Sequence, residues 1–161
     1  HSYSHLYKIP CTGIRFFTVY GPWGRPDMAL MIFTKAILAS QPIRIFNHGK
    51  MYRDFTFIDD VTEAVFRLIK KPPSNESPLA PSRIINIGNN NPTSLKKFVE
   101  IIEKELKIKA IKLYEEIQLG EVEKTYADID LMKKLINYHP TTPLEEGIKK
   151  FLIWYKKFYR A

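Results

Sequence analysis

The pattern of apolar and polar residues predicts strands and helices in alternation along the chain. An almost unbroken apolar run from Ile14 to Tyr20 is typical of a strand covered on both faces of a parallel sheet. Apolar and polar positions alternate over Ile43–Asn47 and Tyr52–Ile58, which predicts two half-buried strands. Further strands are predicted over Arg83–Gly88 and Ala110–Tyr114. This order of elements favours the α/β class.

Helical spacing and capping signals predict the helices between these strands. Asp27 is placed to cap a mostly apolar helix from residue 28 to about residue 39, and Asp60 with Glu63 forms a capping box before an amphipathic helix. Thr142 opens a second capping box, with Pro143 at the first helical position. Helices are also predicted at residues 1–8, over residues 95–106 and after Asp128. The four prolines of residues 72–82 predict an exposed connection.

Composition points to a folded protein with one structural unit, residues 1–161. The chain has 161 residues, of which 45% are hydrophobic, enough for a core. Its longest apolar run, Met28–Phe33, is too short to cross a bilayer, so we expect a cytoplasmic protein with no membrane partner. Cys11 is the only cysteine, which excludes an intrachain disulfide, and the four histidines are scattered, so no metal site is expected.

The net charge of +8 raises the possibility of a nucleic-acid partner. However, the lysines of residues 96–112 alternate with glutamates, and those of residues 149–160 share a helix with aromatic residues. Both patterns are typical of solvated helix faces, so we expect no nucleic-acid binding. A basic protein also suits a small polyanionic substrate.

The loop of residues 22–27 follows the first strand, where open α/β sheets bind ligands. Arg25 lies in this loop between Gly24 and Pro26. A guanidinium group can bind a carboxylate or phosphate through two parallel hydrogen bonds. The alternative from residue chemistry alone is a local salt bridge of Arg25 within the loop.

The segment R-F-F-T-V-Y-G-P-W-G-R-P-D-M resembles the strand and substrate loop of nucleotide-sugar epimerases and dehydratases, within the extended short-chain dehydrogenase/reductase family. The most similar members are the UDP-glucuronate 4-epimerases. Y-R-D-F-T-F-I-D-D-V, R-I-I-N-I-G-N and G-E-V-E-K-T-Y-A-D resemble later segments of these enzymes, in the expected order. The resemblance implies the carboxyl-terminal part of that fold: late Rossmann strands with a small α/β substrate-binding domain.

The resemblance also assigns roles to individual residues. Thr18 and Arg25 would hold the uronate carboxylate, Arg53 would bind the UDP diphosphate, and Phe46 would pack against uracil. Gln118 and Glu121 would lie near the ribose, although Glu121 stands where the family usually has Asp. Phe16 and Phe17 would contact the nicotinamide amide of NAD through their backbone. Two alternatives stay open: Arg53 could pair with Asp54, and Phe46 could be a core residue.

Two elements of the family's chemistry are not found in the chain. Dinucleotide binding requires a glycine-rich turn after the first strand, and proton transfer requires a Tyr-x-x-x-Lys pair on a helix. None of the nine tyrosines has a lysine four residues later. We therefore assign no catalytic residue. The resemblance implies that NAD binds the complete enzyme rather than this chain alone, and that a missing amino-terminal half is a partner. A homodimer is also possible.

Three functions follow from these patterns. The leading hypothesis is the UDP-sugar-binding half of an NAD-dependent UDP-glucuronate 4-epimerase, which interconverts UDP-glucuronate and UDP-galacturonate and is inactive without its other half. The second is the corresponding half of a UDP-sugar dehydratase or decarboxylase. The third is a noncatalytic remnant or binding module.

Overall fold

A computed structural model describes residues 1–74 and 79–160. Its helices are α1 Ser2–Tyr7, α2 Ala29–Leu38, α3 Ile58–Ile69, α4 Leu95–Leu106, α5 Asp130–Ile136 and α6 Leu144–Tyr159. Its strands are β1 Cys11–Phe16, β2 Thr18–Tyr20, β3 Ile43–Phe46, β4 Tyr52–Phe57, β5 Ser82–Ile87, β6 Pro92–Ser94 and β7 Lys112–Glu115. The predicted α/β class is confirmed. The middle of the predicted connection, residues 75–78, lies outside the described residues.

The strands form three small groups in which parallel pairing dominates. β1 pairs with β5 in parallel, and β3 pairs with β7 in parallel. β4 lies between β2, which is parallel to it, and β6, which is antiparallel to it. Phe46 is the last residue of β3, and Arg53 is the second residue of β4, the next strand along the chain. The two residues lie in the same part of the molecule.

The strand predicted over Ile14–Tyr20 is two strands, and the prediction of one continuous strand is wrong. β1 ends at Phe16 and pairs with β5, whereas β2 begins at Thr18 and pairs with β4. At the break, the amide of Phe17 donates to the Ile87 carbonyl at 3.4 Å. The expectation that this run is covered on both faces is also wrong for β1, which has no buried residue and whose Phe16 is 53% exposed. The apolar run continues from one strand into the next, and it therefore hides the change of partner.

Two clusters of buried side chains form the core. The larger joins α2, α4 and α6 to β2, β3 and β4, and includes the fully buried Phe57, Phe98 and Phe151. The smaller joins α3, α5 and β5, around Ile87 and Met132. Burying a large apolar side chain contributes about 1.5–3 kcal/mol. The larger cluster thus holds α2 against β3 and β4, the elements that surround the candidate site.

Two of the predicted caps are not formed in the structure. The N-cap of α2 is Met28 rather than Asp27, and the carboxylate of Asp27 instead binds Arg25. Asp60 lies inside α3 and accepts from the Tyr138 hydroxyl at 2.9 Å and the Thr142 amide at 3.1 Å, so it joins α3 to the segment before α6.

The other two predicted caps, Thr142 and Asp128, each lie one residue before the observed N-cap, and the cap at Ser94 was not predicted. Pro143 is the N-cap of α6, with no side-chain cap bond, so Leu144 is the first helical residue. Asp128 precedes α5 by two residues, and its carboxylate accepts from the Asp130 amide at 3.0 Å. Ser94 caps α4 by accepting from the Lys97 amide at 3.2 Å. In the part of the chain that the structure describes, no helix has the length and apolarity required to span a membrane.

Candidate functional site

An open cleft of about 660 Å³ lies between α2, β3, β4 and the segment that follows β7. Its lining combines an apolar side from α2 with polar side chains from the strands and the later segment. The lining residues are Thr18, Asp27, Met28, Ala29, Ile32, Phe33, Pro42, Ile43, Arg44, Phe46, Met51, Arg53, Phe55, Leu95, Gln118 and Glu121. A concave, mostly apolar site with a few convergent polar groups is the form that small-molecule sites usually take.

Five of the six residues predicted to bind the substrate line this one cleft. They are Thr18, Phe46, Arg53, Gln118 and Glu121. In the sequence they are spread over about a hundred positions, on two strands, at a strand end and in a loop. The fold therefore brings together residues that only the family resemblance had connected.

Arg53 is the most firmly held cation of the cleft. Only 22% of its side chain is exposed, and its Nη2 donates to Glu121 at 2.8 Å. Its Nη1 donates to the carbonyl oxygens of Tyr52 at 2.9 Å and Val122 at 2.7 Å. These bonds orient the guanidinium group, which is the side chain best suited to bind a diphosphate.

Asp54, the next residue along β4, faces the protein interior. It is completely buried, and its carboxylate accepts from the backbone amides of Asn89 at 3.1 Å, Asn90 at 3.0 Å and Ala127 at 2.9 Å. The two neighbouring side chains thus have different partners, and the Arg53–Asp54 pair considered from the sequence is not formed. Asp54 instead ties β4 to the turn after β5 and to the segment before α5.

Phe46 lies on the cleft side of β3, with the Arg44 guanidinium carbon 5.0 Å from its ring centre. Ile43 and Ile45 point to the core. Arg44 also binds Glu115 of β7 with two hydrogen bonds of 2.6 Å, and this contact lowers the pKa of Glu115. Arg44 was missed in the sequence, although its position two residues before Phe46 on an alternating strand would have placed both on one face.

Gln118 and Glu121 enter the cleft from the loop between β7 and α5. The Glu121 side chain is 44% exposed, and its ion pair with Arg53 holds it at the rim of the cleft. Gly120, with a φ of 86°, allows the chain to turn between them. Thr18 lines the cleft from the first position of β2.

Arg25 does not line this cleft. Its side chain is 74% exposed and forms a salt bridge with Asp27, two residues along the same loop. The Nε–Oδ1 distance is 3.1 Å, and the hydrogen bond lowers the pKa of Asp27 and raises that of Arg25. The local salt bridge foreseen as an alternative is therefore formed, while the predicted binding of a uronate by Arg25 stays a prediction.

The loop that carries Arg25 is held against α6 by aromatic contacts. Trp23 has a φ of 62°, which is rare for a bulky residue, and 74% of its surface is exposed. Its ring centre lies 5.4 Å from that of Trp154 and 5.0 Å from that of Phe158. The position of the loop therefore depends on ring contacts at one edge of the molecule.

Phe16 and Phe17 lie at the end of β1 rather than in the cleft. Phe16 is 53% exposed and is paired with Ile87 of β5, whereas Phe17 is partly buried against the smaller core cluster. The carboxyl end of β1 is the expected position for a ligand in an open α/β sheet. Their predicted backbone contact with a nicotinamide stays a prediction.

The titratable groups near the cleft do not form a proton-transfer site within residues 1–74 and 79–160. Tyr20 is buried beneath the loop that follows β2, and its burial raises the pKa of the phenol far above neutral pH, with smaller contributions from Asp60, Glu145 and Glu146. Its hydroxyl has no hydrogen-bond partner among the described residues. The same residues contain no group of three histidine, cysteine or acidic side chains placed to hold a metal ion.

Comparison with known proteins identifies the family. The sequence profile of the NAD dependent epimerase/dehydratase family matches residues 1–88, more than half of the chain. The chain belongs to this family. Within it, the protein CapI of Staphylococcus aureus is 50% identical over 171 residues, and a probable UDP-glucuronate 4-epimerase of Rhizobium meliloti is 45% identical over 172 residues.

Solved structures of the epimerase family agree with this assignment. The UDP-glucuronic acid 4-epimerase of Bacillus cereus, in complex with UDP-glucuronic acid and NAD, superposes with a TM-score of 0.87 and is 33% identical. The match covers 99% of this chain and 49% of that chain. The predicted Rossmann-like fold of the extended short-chain dehydrogenase group is therefore confirmed.

The chain spans about half the length of the curated relatives it matches. It covers 51% of CapI and 50% of the Rhizobium meliloti protein, and 99% of its own residues take part in each match. The relation to NAD-dependent UDP-glucuronate 4-epimerases is thus established for one part of such a protein.

Proposed function

We propose that this chain is the UDP-sugar-binding portion of an NAD-dependent UDP-glucuronate 4-epimerase and is inactive without the remaining portion. The observation that carries the proposal is the convergence of Thr18, Phe46, Arg53, Gln118 and Glu121 on one cleft. Arg53 binds the diphosphate, Phe46 packs against the uracil, and the Gln118–Glu121 segment lies along the ribose.

The shape and charge of the cleft support a sugar nucleotide as ligand. Its volume of about 660 Å³ is within the usual range for small-molecule sites. Arg53 contributes a guanidinium that is paired with Glu121 and that a diphosphate can bind in its place, and the aromatic ring of Phe46 offers a stacking surface for a base. The sugar then lies near Thr18 and the loop that carries Arg25. The uronate carboxylate replaces Asp27 as the ion-pair partner of Arg25.

NAD would be held only in part by this chain. The partly exposed Phe16 and the backbone of Phe17 lie at the carboxyl end of β1, a position that fits a contact with the nicotinamide. The cofactor, when bound in the complete enzyme, supplies reversible hydride transfer at the sugar. The glycine-rich turn for its pyrophosphate and the Tyr-x-x-x-Lys pair are not found in the sequence of this chain. The residues of this chain therefore bind and orient the sugar nucleotide.

Calorimetric titration of the 161-residue chain with UDP tests the proposal. The chain should bind UDP, and Arg53→Ala should weaken binding by roughly 2 kcal/mol, about 30-fold, because a charged hydrogen-bonding partner of the diphosphate is lost. Arg160→Ala is the matched control, since Arg160 is exposed at the end of α6 and does not line the cleft.

The outcomes separate specific from nonspecific binding. Wild-type affinity for UDP that falls for Arg53→Ala and not for Arg160→Ala supports the proposal. No measurable affinity for UDP, or equal losses in the two variants, contradicts it. Turnover of UDP-glucuronate by the chain alone would contradict the statement that it is inactive without its other portion.

A further inference from the structure

Arg44 lines the cleft beside Phe46, and the proposed function gives it no role. It lies on β3, two residues before Phe46, so both side chains project from the same face of the strand. Its guanidinium carbon lies 5.0 Å from the centre of the Phe46 ring. Arg44 is thus a neighbour both of the predicted base-binding residue and of the cleft itself.

The orientation of Arg44 is set from outside the cleft. Its Nε and Nη2 donate to the two carboxylate oxygens of Glu115, each at 2.6 Å, across the β3–β7 pair. A bidentate pair of this kind fixes the plane of the guanidinium as well as its position. Glu115 does not line the cleft, so it restrains Arg44 without occupying the ligand volume.

A planar guanidinium group and an aromatic ring can each stack against a nucleotide base. Both stack against flat heteroaromatic bases, and arginine does so because its charge is spread over a plane. Lysine cannot replace it in this role, since its charge is a compact point on a flexible chain. Because the Arg44 guanidinium lies over the Phe46 ring, a base can stack on the outer side of the guanidinium with the aromatic ring behind it.

We propose that Arg44, held in plane by Glu115, forms with Phe46 a composite stacking surface for the nucleotide base, with Glu115 as a positioning residue. This inference rests on the proposed function, because it takes a nucleotide as the ligand of the cleft. It assigns Arg44 to the base, whereas Arg53 is assigned to the diphosphate.

The test compares two ligands, UDP and inorganic diphosphate, on variants of the 161-residue chain. Arg44→Lys keeps the positive charge and removes the planar guanidinium group. Affinity for UDP should therefore fall by about fivefold or more, whereas affinity for diphosphate should change by less than about twofold. Glu115→Gln removes the charge that fixes the guanidinium and should cause a smaller loss, about two- to threefold, again for UDP only.

Arg67→Lys is the matched control. Arg67 is also paired with a glutamate, Glu63 at 2.6 Å, and its guanidinium carbon also lies over an aromatic ring, Tyr138 at 4.6 Å. It lies on α3 and does not line the cleft. Unfolding midpoints in urea should be similar for the variants, and the control should leave both affinities unchanged.

Each other outcome contradicts the proposal in a distinct way. Equal losses for UDP and diphosphate on Arg44→Lys would make Arg44 a phosphate-binding residue. No loss for either ligand would make the Arg44–Glu115 pair purely structural. Wild-type chain that does not bind UDP would overturn both this inference and the proposed function, whereas UDP binding that depends on Arg53 and not on Arg44 overturns this inference alone.

Discussion

Two parts of the candidate site differ in how the protein holds them. The wall formed by β3, β4 and the loop after β7 is joined by hydrogen bonds between distant segments, such as the bonds from Arg53 to Glu121 and Val122. Within the described part of the chain, the hydrogen bonds of the loop of residues 21–28 are local, such as Gly24 N to Gly21 O at 3.2 Å, and the loop also has the ring contacts of Trp23. The wall carries the predicted nucleotide-binding residues, and the loop carries Arg25.

This difference separates the two tasks of a sugar-nucleotide site. The nucleotide is common to many substrates, and a wall joined by long-range bonds can bind it with its strands in place, with only the Arg53–Glu121 pair exchanged for the diphosphate. The sugar distinguishes one substrate from another, and Arg25 is the residue proposed to bind it. The Arg25 side chain is exposed and is paired within its own loop. If Arg25 binds the uronate as predicted, it must exchange Asp27 for that carboxylate, so the loop is the part expected to change when the substrate binds.

The largest effect is expected when the support of the wall is removed by Asp54→Ala. The substitution removes the carboxylate that accepts from the amides of Asn89 and Asn90, and it leaves the buried amide of Ala127 without an acceptor. The free energy of unfolding should fall by roughly 3 to 5 kcal/mol. Asp59→Ala, at an exposed position in the first turn of α3, should cost less than about 1 kcal/mol. Urea denaturation followed by circular dichroism measures both, and similar losses would contradict the role given to Asp54.

Arg25→Ala tests whether the loop is specific for the uronate. If Arg25 binds the carboxylate, affinity for UDP-glucuronate should fall by roughly 2 kcal/mol, about 30-fold. Affinity for UDP and UDP-glucose should change little, because neither carries that group. Titration calorimetry with the three ligands decides the question. Equal losses for UDP and UDP-glucuronate would show that Arg25 has a phosphate-binding or structural role.

Trp23→Ala should loosen the loop without affecting the wall. The variant loses the ring contacts with Trp154 and Phe158, each worth about 0.5–1.5 kcal/mol. The ratio of affinities for UDP-glucuronate and UDP should fall about threefold, with UDP affinity itself unchanged. Tyr3→Ala, at an exposed ring on α1, is the control. A loss of UDP affinity in Trp23→Ala would mean that the loop and the wall are not independent.

The smallest effect is expected for Glu121→Gln. The two roles considered for Glu121 predict opposite changes in the affinity for UDP. Glu121 neutralises Arg53 in the ligand-free structure, so Glu121→Gln should strengthen UDP binding about two- to threefold if this competition dominates. If Glu121 binds the ribose hydroxyls, as the family resemblance suggests, the same change should weaken binding of UDP and leave inorganic diphosphate unaffected. We expect the first result, because the Nη2–Oε2 distance of 2.8 Å shows a formed ion pair.

Much of the wall could be predicted from the sequence. The alternation over residues 43–47 and 52–58 placed Phe46 and Arg53 on strands, and the resemblance connected them with Gln118 and Glu121. The apolar side of the cleft was not predicted, because residues of α2 such as Ile32 and Phe33 have the pattern of a core helix. A residue that lines a cleft and a residue that fills a core have the same hydrophobic signal.

The errors have a common physical cause. Asp60 resembled a helix cap, but its partners Tyr138 and Thr142 lie about eighty residues away in the sequence. The break at Phe17 was hidden because the apolar run continues from β1 into β2, although the two strands belong to different sheets. Local patterns report burial and helical phase, whereas the partner of a polar group or of a strand edge is decided by the tertiary fold.

The central claim, that a sugar nucleotide binds between α2, β3, β4 and the loop after β7, can be tested by amide chemical-shift mapping. The ¹⁵N-labelled chain is titrated with UDP, and shift changes are assigned along the sequence. The account predicts the largest changes around Phe46, Arg53 and residues 118–121, with little change in the lysine-rich faces of α4 and α6. Changes concentrated on those lysine faces, or no changes at saturating UDP, would contradict it.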